Sequence, residues 1–167
     1  HMAPEVMTDG ELAWLDEHLR ILSGFYGVLR PLDGVTPYRL EMQARLAVDG
    51  ARNLYEFWGP TLHDALAAEC DLIVNVASVE YARALTPWVR ADGPQVLTCL
   101  FGTIDGNRLR QRATEAKAAR GTFVRWCAER GVGRAEELRD FHERGYALVP
   151  DMSDASTLVF ARDLKKD

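Results

Sequence analysis

Apolar side chains recur at helical spacing in two parts of the chain. Thr8-Asp9-Gly10-Glu11 fits a capping box, in which a hydroxyl and a carboxylate satisfy free backbone N–H groups at a helix start. The leucines that follow lie on one helix face: Leu12, Leu15, Leu19 and Leu22. The pattern predicts a helix over 9–22 and a second helical stretch over 51–69. Gly59-Pro60 is expected to break or kink the second, because proline lacks the N–H that a helix interior needs.

The following segments alternate between strand and helix patterns. Residues 71–77 are a short apolar run, typical of a strand buried on both faces, and Ser78 is placed to cap a short helix. Residues 95–103 and 108–112 flank Asp105-Gly106, which favours a β-hairpin.

The rest of the chain continues this mixture. Residues 113–130 are an Ala- and Arg-rich helix ending at Gly131, and a short helix over 134–141 and strands near 146–149 and 157–162 follow. Because helices and strands do not alternate strictly, the order predicts an α+β fold with a mixed sheet and packed helices.

Length and composition indicate one globular domain. The chain has 167 residues, 47% hydrophobic and 27% charged, which excludes disorder. We expect residues 1–7 to be a tag remnant and leader and residues 8–167 to form a single domain. No apolar run approaches the length that spans a bilayer, so no membrane association is expected.

Charge is distributed unevenly. The formal net charge is −5, yet residues 108–134 carry eight basic residues against Glu115 and Glu129. A run of this kind is either a solvated helix face or an anion-binding surface. Guanidinium groups suit the second role because their fork matches phosphate and carboxylate.

Cysteine and histidine give no sign of a metal site or cofactor. Cys70, Cys99 and Cys127 are far apart, and the four histidines are scattered. We interpret the cysteines as three reduced, partly buried thiols of a cytoplasmic protein, the alternative being a redox-sensing thiol.

The segment from Ser23 to Met42 mixes Gly, Pro, Tyr, Arg and acidic residues, as functional loops do. Arg30 and Arg39 could clamp an anion. Alternatively, Arg30–Asp33 and Arg39–Glu41 are internal ion pairs that fix the loop. Spacing alone favours neither interpretation.

Residues 19–42, L-R-I-L-S-G-F-Y-G-V-L-R-P-L-D-G-V-T-P-Y-R-L-E-M, resemble the YaaA family of bacterial peroxide stress proteins. The resemblance continues in L-Y-E-F-W-G, L-I-V-N-V-A-S-V-E-Y, A-K-A-A-R-G and G-Y-A-L-V-P-D. Members of this family carry a further N-terminal segment with a strand and an S-P-A-K-like motif, to which nothing here corresponds. The chain therefore resembles the C-terminal two-thirds of such a protein, and its sheet is expected to be incomplete at the N-terminus.

The resemblance implies a cytoplasmic protein, induced by hydrogen peroxide, that limits damage from unincorporated iron. It also implies a positively charged cleft that binds duplex or branched DNA. The residues it places in that cleft are Arg30, Tyr38, Arg39, Glu41, Asn75, Ser78, Tyr81, Lys117 and Arg120. Arg125, in the basic run, is a further candidate for binding the anion. Of these, Lys117 and Arg120 share a helix face and form the best candidate pair for phosphate.

Two of these residues also have structural explanations. Asn75 lies near the C-terminal end of a strand, where ligands gather in α/β sheets, although a polar residue there can simply end the strand. Ser78 is placed to bond an anion at a helix N-terminus or to act as the N-cap.

Gly131-Val132-Gly133-Arg134 lies between two predicted helices and is similar to a helix–hairpin–helix, whose amides bind backbone phosphate. The alternative is a plain C-cap and turn, and Glu136 and Glu137 would repel a nearby phosphate.

Catalytic and metal-binding alternatives remain open. Tyr81 and Lys117 could form an acid/base pair, with Glu41 as a general base, in an enzyme acting on a nucleotide or a small anionic metabolite. An iron-buffering protein would need clustered ligands, whereas His18, His63 and His142 are scattered. The sequence does not decide whether the protein is an enzyme, nor its oligomeric state.

Overall fold

The structure is a computed structural model that describes residues 1–162. The helices are α1 (Asp9–His18), α2 (Leu54–Trp58), α3 (Thr61–Ala67), α4 (Val79–Ala82) and α5 (Ala113–Arg130). The strands are β1 (Ile21–Ser23), β2 (Gly27–Leu29), β3 (Leu72–Asn75), β4 (Gln95–Asp105), β5 (Arg108–Arg110), β6 (Tyr146–Leu148) and β7 (Thr157–Arg162). Short 3₁₀ helices occupy Pro4–Val6, Thr86–Trp88, Ala135–Asp140 and Pro150–Met152.

The chain folds into two compact units. His1–Glu17 and Leu97–Asp167 make up the first, called here the terminal unit, and His18–Val96 make up the second, the central unit. We describe each unit by itself.

The terminal unit contains a mixed β-sheet. β4 runs parallel to β7, and β5 and β6 pair antiparallel with β4 and β7, respectively. Within this unit the strand order is β4-β7-β6, with β5 also paired with β4. Helices together with a mixed sheet confirm the predicted α+β class.

The core of the terminal unit is a cluster of aromatic rings. Phe101 of β4 and Phe160 of β7 are opposite each other in register, and their rings stack with centroids 5.4 Å apart. Phe123 of α5 and Phe141 pack edge-on against Phe101 with centroid distances of 5.3 and 6.1 Å. The four rings are fully buried, so helix and sheet are held together mainly by the hydrophobic effect.

Local signals in this unit predict the elements well. Thr8 and Glu11 exchange the two hydrogen bonds of a capping box at the start of α1. Gly106, at φ +59°, closes the hairpin between β4 and β5. Gly131, also at φ +59°, ends α5 as expected.

The central unit differs from the prediction at its start. The expected helix over 9–22 ends at His18, because Ile21–Ser23 pair antiparallel with Gly27–Leu29 as a short hairpin. Gly27 has φ +81°, and a Cβ there would lie 2.9 Å from the Trp58 ring. The prediction for Leu19 and Leu22 was therefore wrong, since backbone pairing outweighs their helical spacing.

The remaining elements of the central unit are closer to expectation. Gly59, at φ +48°, separates α2 from α3 as predicted. β3 is shorter than predicted, and Leu72, Ile73 and Val74 are half-buried, so the strand is not buried on both faces.

A hydrophobic cluster forms the core of the central unit. It consists of Met42, Leu54, Leu62, Leu66, Ala84 and Leu85. Leu22 and Val28 of the β1–β2 hairpin pack against it, so the hairpin and the helices share one core. No helix within residues 1–162 is long and apolar enough to cross a membrane.

The three cysteines differ in accessibility. Cys99 of β4 and Cys127 of α5 are buried, and burial raises the pKa of each thiol to about 12. Cys70 is exposed, and the Cys70 thiol donates a hydrogen bond to the Leu66 carbonyl at 3.5 Å. All three are free thiols, as predicted.

In the folded protein we expect only Cys70 to react with a thiol reagent on the minute timescale. The buried thiols are shielded, and their raised pKa keeps them protonated at neutral pH, whereas the thiolate is the reactive form. A colorimetric thiol assay should therefore detect one thiol before denaturation and three after it. Immediate reaction of all three would contradict the burial described here.

Candidate nucleic-acid interface

Lys117 and Arg120 lie one turn apart on α5. The buried side of this helix is formed by Ala116, Ala119 and Phe123. Lys117 is exposed, and Arg120 lies half-buried at the edge of the apolar side. The spacing of three residues places both cations next to each other.

Neither cation has an ion-pair or hydrogen-bond partner for its side chain within residues 1–162. Burial lowers the pKa of the Arg120 guanidinium, which reflects the loss of hydration around its charge. A partly buried charge is stabilised by a counter-charge. Since this part of the chain offers none, the pair is suited to an anion from outside.

Arg125, one turn further along α5, is engaged differently. The Arg125 Nε donates to Glu129 Oε1 at 2.6 Å, and a second guanidinium nitrogen reaches the Met2 carbonyl at 3.5 Å. The hydrogen bond that Arg125 donates to Glu129 raises the pKa of Arg125. Arg125 therefore has a neutralising partner that Lys117 and Arg120 lack.

The Gly131–Arg134 turn has its backbone amides already occupied. The N–H groups of Gly133 and Arg134 both donate to Glu137 Oε2, at 2.9 and 3.1 Å. These two bonds lower the pKa of Glu137, and the Arg134 guanidinium, 3.1 Å from Glu137 Oε1, adds to the effect. Earlier in the turn, Gly131 N–H and the next amide donate to carbonyls of α5.

The same turn differs from the predicted one in two respects. The second helix is a six-residue 3₁₀ helix. Glu137 was expected only to repel phosphate, but its carboxylate caps this helix. A phosphate oxygen can reach the amides of Gly133 and Arg134 only after the Glu137 carboxylate leaves them.

The loop of the central unit is held in place by hydrogen bonds of Ser23. Ser23 is buried, and its Oγ accepts from the N–H groups of Phe25 and Tyr26 at 3.1 and 2.9 Å. Tyr38 Oη lies 2.5 Å from the same Oγ. Tyr26 Oη accepts from Thr36 N at 2.9 Å, so the hairpin turn and the following loop are joined.

Arg30 and Arg39 are exposed on this loop, and within the part of the chain that the structure describes their guanidinium groups have no carboxylate partner. Asp33 accepts from the backbone N–H of Arg30 at 2.7 Å and not from its side chain. The ion-pair explanation of these two arginines is therefore wrong, and both remain available to an anion.

Asn75 and Ser78 serve the backbone at the end of β3. Asn75 is buried, and its Oδ1 accepts from Ala77 N at 3.1 Å, which turns the chain after the strand. Ser78 occupies the N-cap position of α4, but its side chain makes no capping hydrogen bond. The geometry gives Asn75 a structural role, and anion binding by either residue stays a prediction.

Tyr81 is half-buried in the central unit. Burial raises the pKa of its hydroxyl, and Glu80, Tyr38 and Glu41 raise it further, whereas a hydrogen bond with the Met42 backbone lowers it. Glu41 is exposed in the same unit, whereas Lys117 belongs to the terminal unit. The acid/base arrangement of Tyr81, Lys117 and Glu41 therefore stays a prediction. Within residues 1–162, no three His, Cys, Asp or Glu side chains are grouped as metal ligands.

The sequence of the chain matches the profile of a family described as peroxide stress protein YaaA over residues 1–152. The chain belongs to the YaaA family. It is 47% identical over 163 residues to a UPF0246 protein of Pediococcus pentosaceus, which covers 98% of this chain and 64% of the relative. UPF0246 proteins of Lachnoclostridium phytofermentans and Limosilactobacillus reuteri are 43% and 42% identical, covering 97% and 96% of the chain and 63% and 64% of those proteins.

These matches confirm the resemblance to the YaaA family, which rested on short blocks of sequence. The chain spans about 64% of the length of the first of these relatives.

Sequence reasoning missed two features of this YaaA-family site. Ser23 was not recognised as the residue that organises the loop, although serine two or three residues before free amides is a known turn signal. Glu137 was treated as a repelling charge, although a glutamate three residues after the N-cap is a capping-box signal. The Ser23 turn and the Glu137 cap both depend on the spacing of residues close in sequence, so the sequence contained a signal for each of them.

Proposed function

We propose that this YaaA-family protein binds the phosphate backbone of DNA, largely independently of sequence, in the cytoplasm. We further propose that it thereby helps to limit iron-mediated DNA damage during peroxide stress. The observation that carries the DNA-binding proposal is the pair of unpartnered cations Lys117 and Arg120 on one face of α5. The peroxide-stress role rests on family membership.

A phosphodiester suits this pair of cations. Lys117 and Arg120 repel each other across one helical turn, and an anion that contacts both removes that repulsion. A phosphate offers two free oxygens, one for the ammonium group and one for the guanidinium fork. A row of phosphates along a duplex supplies such oxygens at any sequence, so contacts of this kind carry no base information.

The other basic residues are proposed as secondary contacts. Arg30, Tyr38 and Arg39 are exposed in the central unit and would bind phosphate or a small anionic ligand. Arg125 would contribute less, because Glu129 already neutralises its charge. The helix–hairpin–helix contact through Gly131, Gly133 and Arg134 requires displacement of the Glu137 carboxylate, so we rank it last.

The proposal is tested by fluorescence anisotropy with two labelled duplexes of unrelated sequence. We expect dissociation constants that agree within about twofold, and affinity that falls at least about tenfold between about 50 and 200 mM salt. Each neutralised phosphate contributes about 0.9 to the slope of log K against log salt. Absence of binding, or binding that salt does not weaken, would refute the proposal.

A further inference from the structure

The basic side of α5 contains one side chain that can be acylated under mild conditions, Lys117. The chain has three lysines among its 20 Lys and Arg residues, and Lys117 is the lysine that lies within residues 1–162. Arginine stays protonated at physiological pH, whereas a lysine amine can lose its proton and act as a nucleophile. An acylating reagent would therefore change the charge of this surface at a single position.

The ammonium group of Lys117 is exposed and no neighbouring acid holds it. The positions one turn away on α5 are Ala113, Thr114, Arg120 and Gly121. None of these four bears a carboxylate. Glu115, two residues before Lys117, is 3.9 Å from Arg112 Nη1 and 3.8 Å from Arg162 Nη2 through its Oε1. Because the acid nearest in sequence is engaged by arginines, the Lys117 amine reacts without first breaking an ion pair.

Arg120 supplies an anchor for a phosphate group beside this amine. Its side chain is half-buried at the edge of the apolar side of α5, so its guanidinium has less freedom than that of a fully exposed arginine. The guanidinium fork binds two oxygens of one phosphate group. Since Arg120 lies three residues after Lys117 on the helix, a group attached to that phosphate comes within reach of Lys117 Nζ.

We propose that Lys117 is a site of acylation by small acyl phosphates, with Arg120 as the residue that positions the reagent. The deprotonated Lys117 Nζ attacks the acyl carbon, so that a C–N bond forms and the C–O bond to the phosphate breaks. The phosphate leaves with the electron pair of that bond and takes up the proton that the nitrogen loses. The products are an uncharged amide at Lys117 and free phosphate.

Acylation alters the site that carries the proposed function. The amide has no charge and cannot form an ion pair with a phosphate, so one of the two cations on this face of α5 is lost. We expect acylated protein to bind duplex DNA more weakly than unmodified protein does. This consequence rests on the proposed DNA binding, whereas the acylation itself does not.

The test compares two acetylating reagents on the full chain, acetyl phosphate and acetic anhydride, which carries no phosphate. Mass spectrometry gives the initial rate at each lysine, with Lys165 and Lys166, outside the described residues, as internal references. The anhydride corrects for differences in accessibility among the three amines. We expect the ratio of the Lys117 rate to the reference rates to be at least about fivefold larger with acetyl phosphate than with the anhydride, because Arg120 holds only the first reagent in place.

Arg120→Gln should make the two ratios equal, since it removes the fork and keeps part of the stem. Arg130→Gln is the matched control. Arg130 is an exposed arginine of the same helix, its guanidinium lies 5.6 Å from the centroid of the Trp126 ring, and it is about 15 Å further along the axis. This control should keep the preference for Lys117, and a thermal melt should show both variants folded. Equal ratios in the unaltered protein, or a preference that survives Arg120→Gln, would overturn the acylation site.

The effect on binding is measured with partly acetylated protein and a limiting amount of duplex DNA. The bound and unbound protein are separated, and the acetylated fraction at Lys117 is determined in each. We expect acetyl-Lys117 to be depleted several-fold from the bound protein. An equal fraction in both would overturn regulation by acylation, while the acylation site itself would stand on the reagent comparison. Failure of unmodified protein to bind the duplex would instead overturn the proposed function.

Discussion

Replacing Lys117 and Arg120 together with glutamine is expected to weaken duplex binding several-fold and to flatten its salt dependence. If both side chains contact phosphate, the slope of log K against log salt should fall by about 1.8. Glutamine keeps part of each apolar stem, so the half-buried Arg120 position is not left as a cavity. Anisotropy titrations at several salt concentrations measure both quantities.

The matched control is the double variant Arg52→Gln and Arg90→Gln, which removes the same charge. Arg52 is paired with Glu56, and Arg90 Nη2 lies 3.0 Å from Asp64 Oδ1, so both arginines are less available to an anion than Lys117 and Arg120 are. This control variant should retain most of the affinity for duplex DNA and most of the slope of log K against log salt. Equal losses in the two double variants would show that net charge alone governs binding, and an unchanged slope in the Lys117/Arg120 variant would remove those residues from the interface.

Truncation of Phe160 to alanine should cost about 3–5 kcal/mol of unfolding free energy. Phe160 is 0% exposed and contacts the rings of Phe101, Phe123 and Phe141 with centroid distances of 5.3 to 5.5 Å. The substitution leaves a cavity between the sheet and α5, which the neighbouring rings are too rigid to fill. Urea denaturation followed by circular dichroism gives the loss.

The same substitution at exposed Phe25 serves as the reference and should cost no more than about 1 kcal/mol. A comparable loss at both positions would contradict the assignment of the aromatic cluster as the core of the terminal unit.

The elements that the sequence predicts well are those with local end signals. Helix α5 begins after the hairpin and ends at Gly131, whose positive φ suits glycine, and the break between α2 and α3 coincides with Gly59-Pro60. Residues 19–22 show the opposite case. Their leucines have helical spacing, but pairing of Ile21–Ser23 with Gly27–Leu29 depends on residues up to eight positions away, which a periodicity argument does not weigh.

The candidate site was predictable where spacing along a helix determines it. Lys117 and Arg120 share a face of α5 because they lie three residues apart. Whether Arg30 or Arg39 is paired depends instead on side-chain contacts, and the spacing of Arg30–Asp33 fits an ion pair as well as the backbone hydrogen bond that forms. Likewise, the hydrogen bond from the Gly133 N–H group to Glu137 depends on the conformation of the turn, which the residue types alone do not determine.

Amine footprinting tests the central claim most directly, because the chain has three lysines, Lys117, Lys165 and Lys166. The protein is acetylated with and without saturating duplex DNA, and the modified fraction at each lysine is measured by mass spectrometry. Phosphate contact at α5 predicts that DNA protects Lys117 several-fold and that added salt removes the protection along with the binding. Equal acetylation of Lys117 in free and DNA-bound protein would contradict the account.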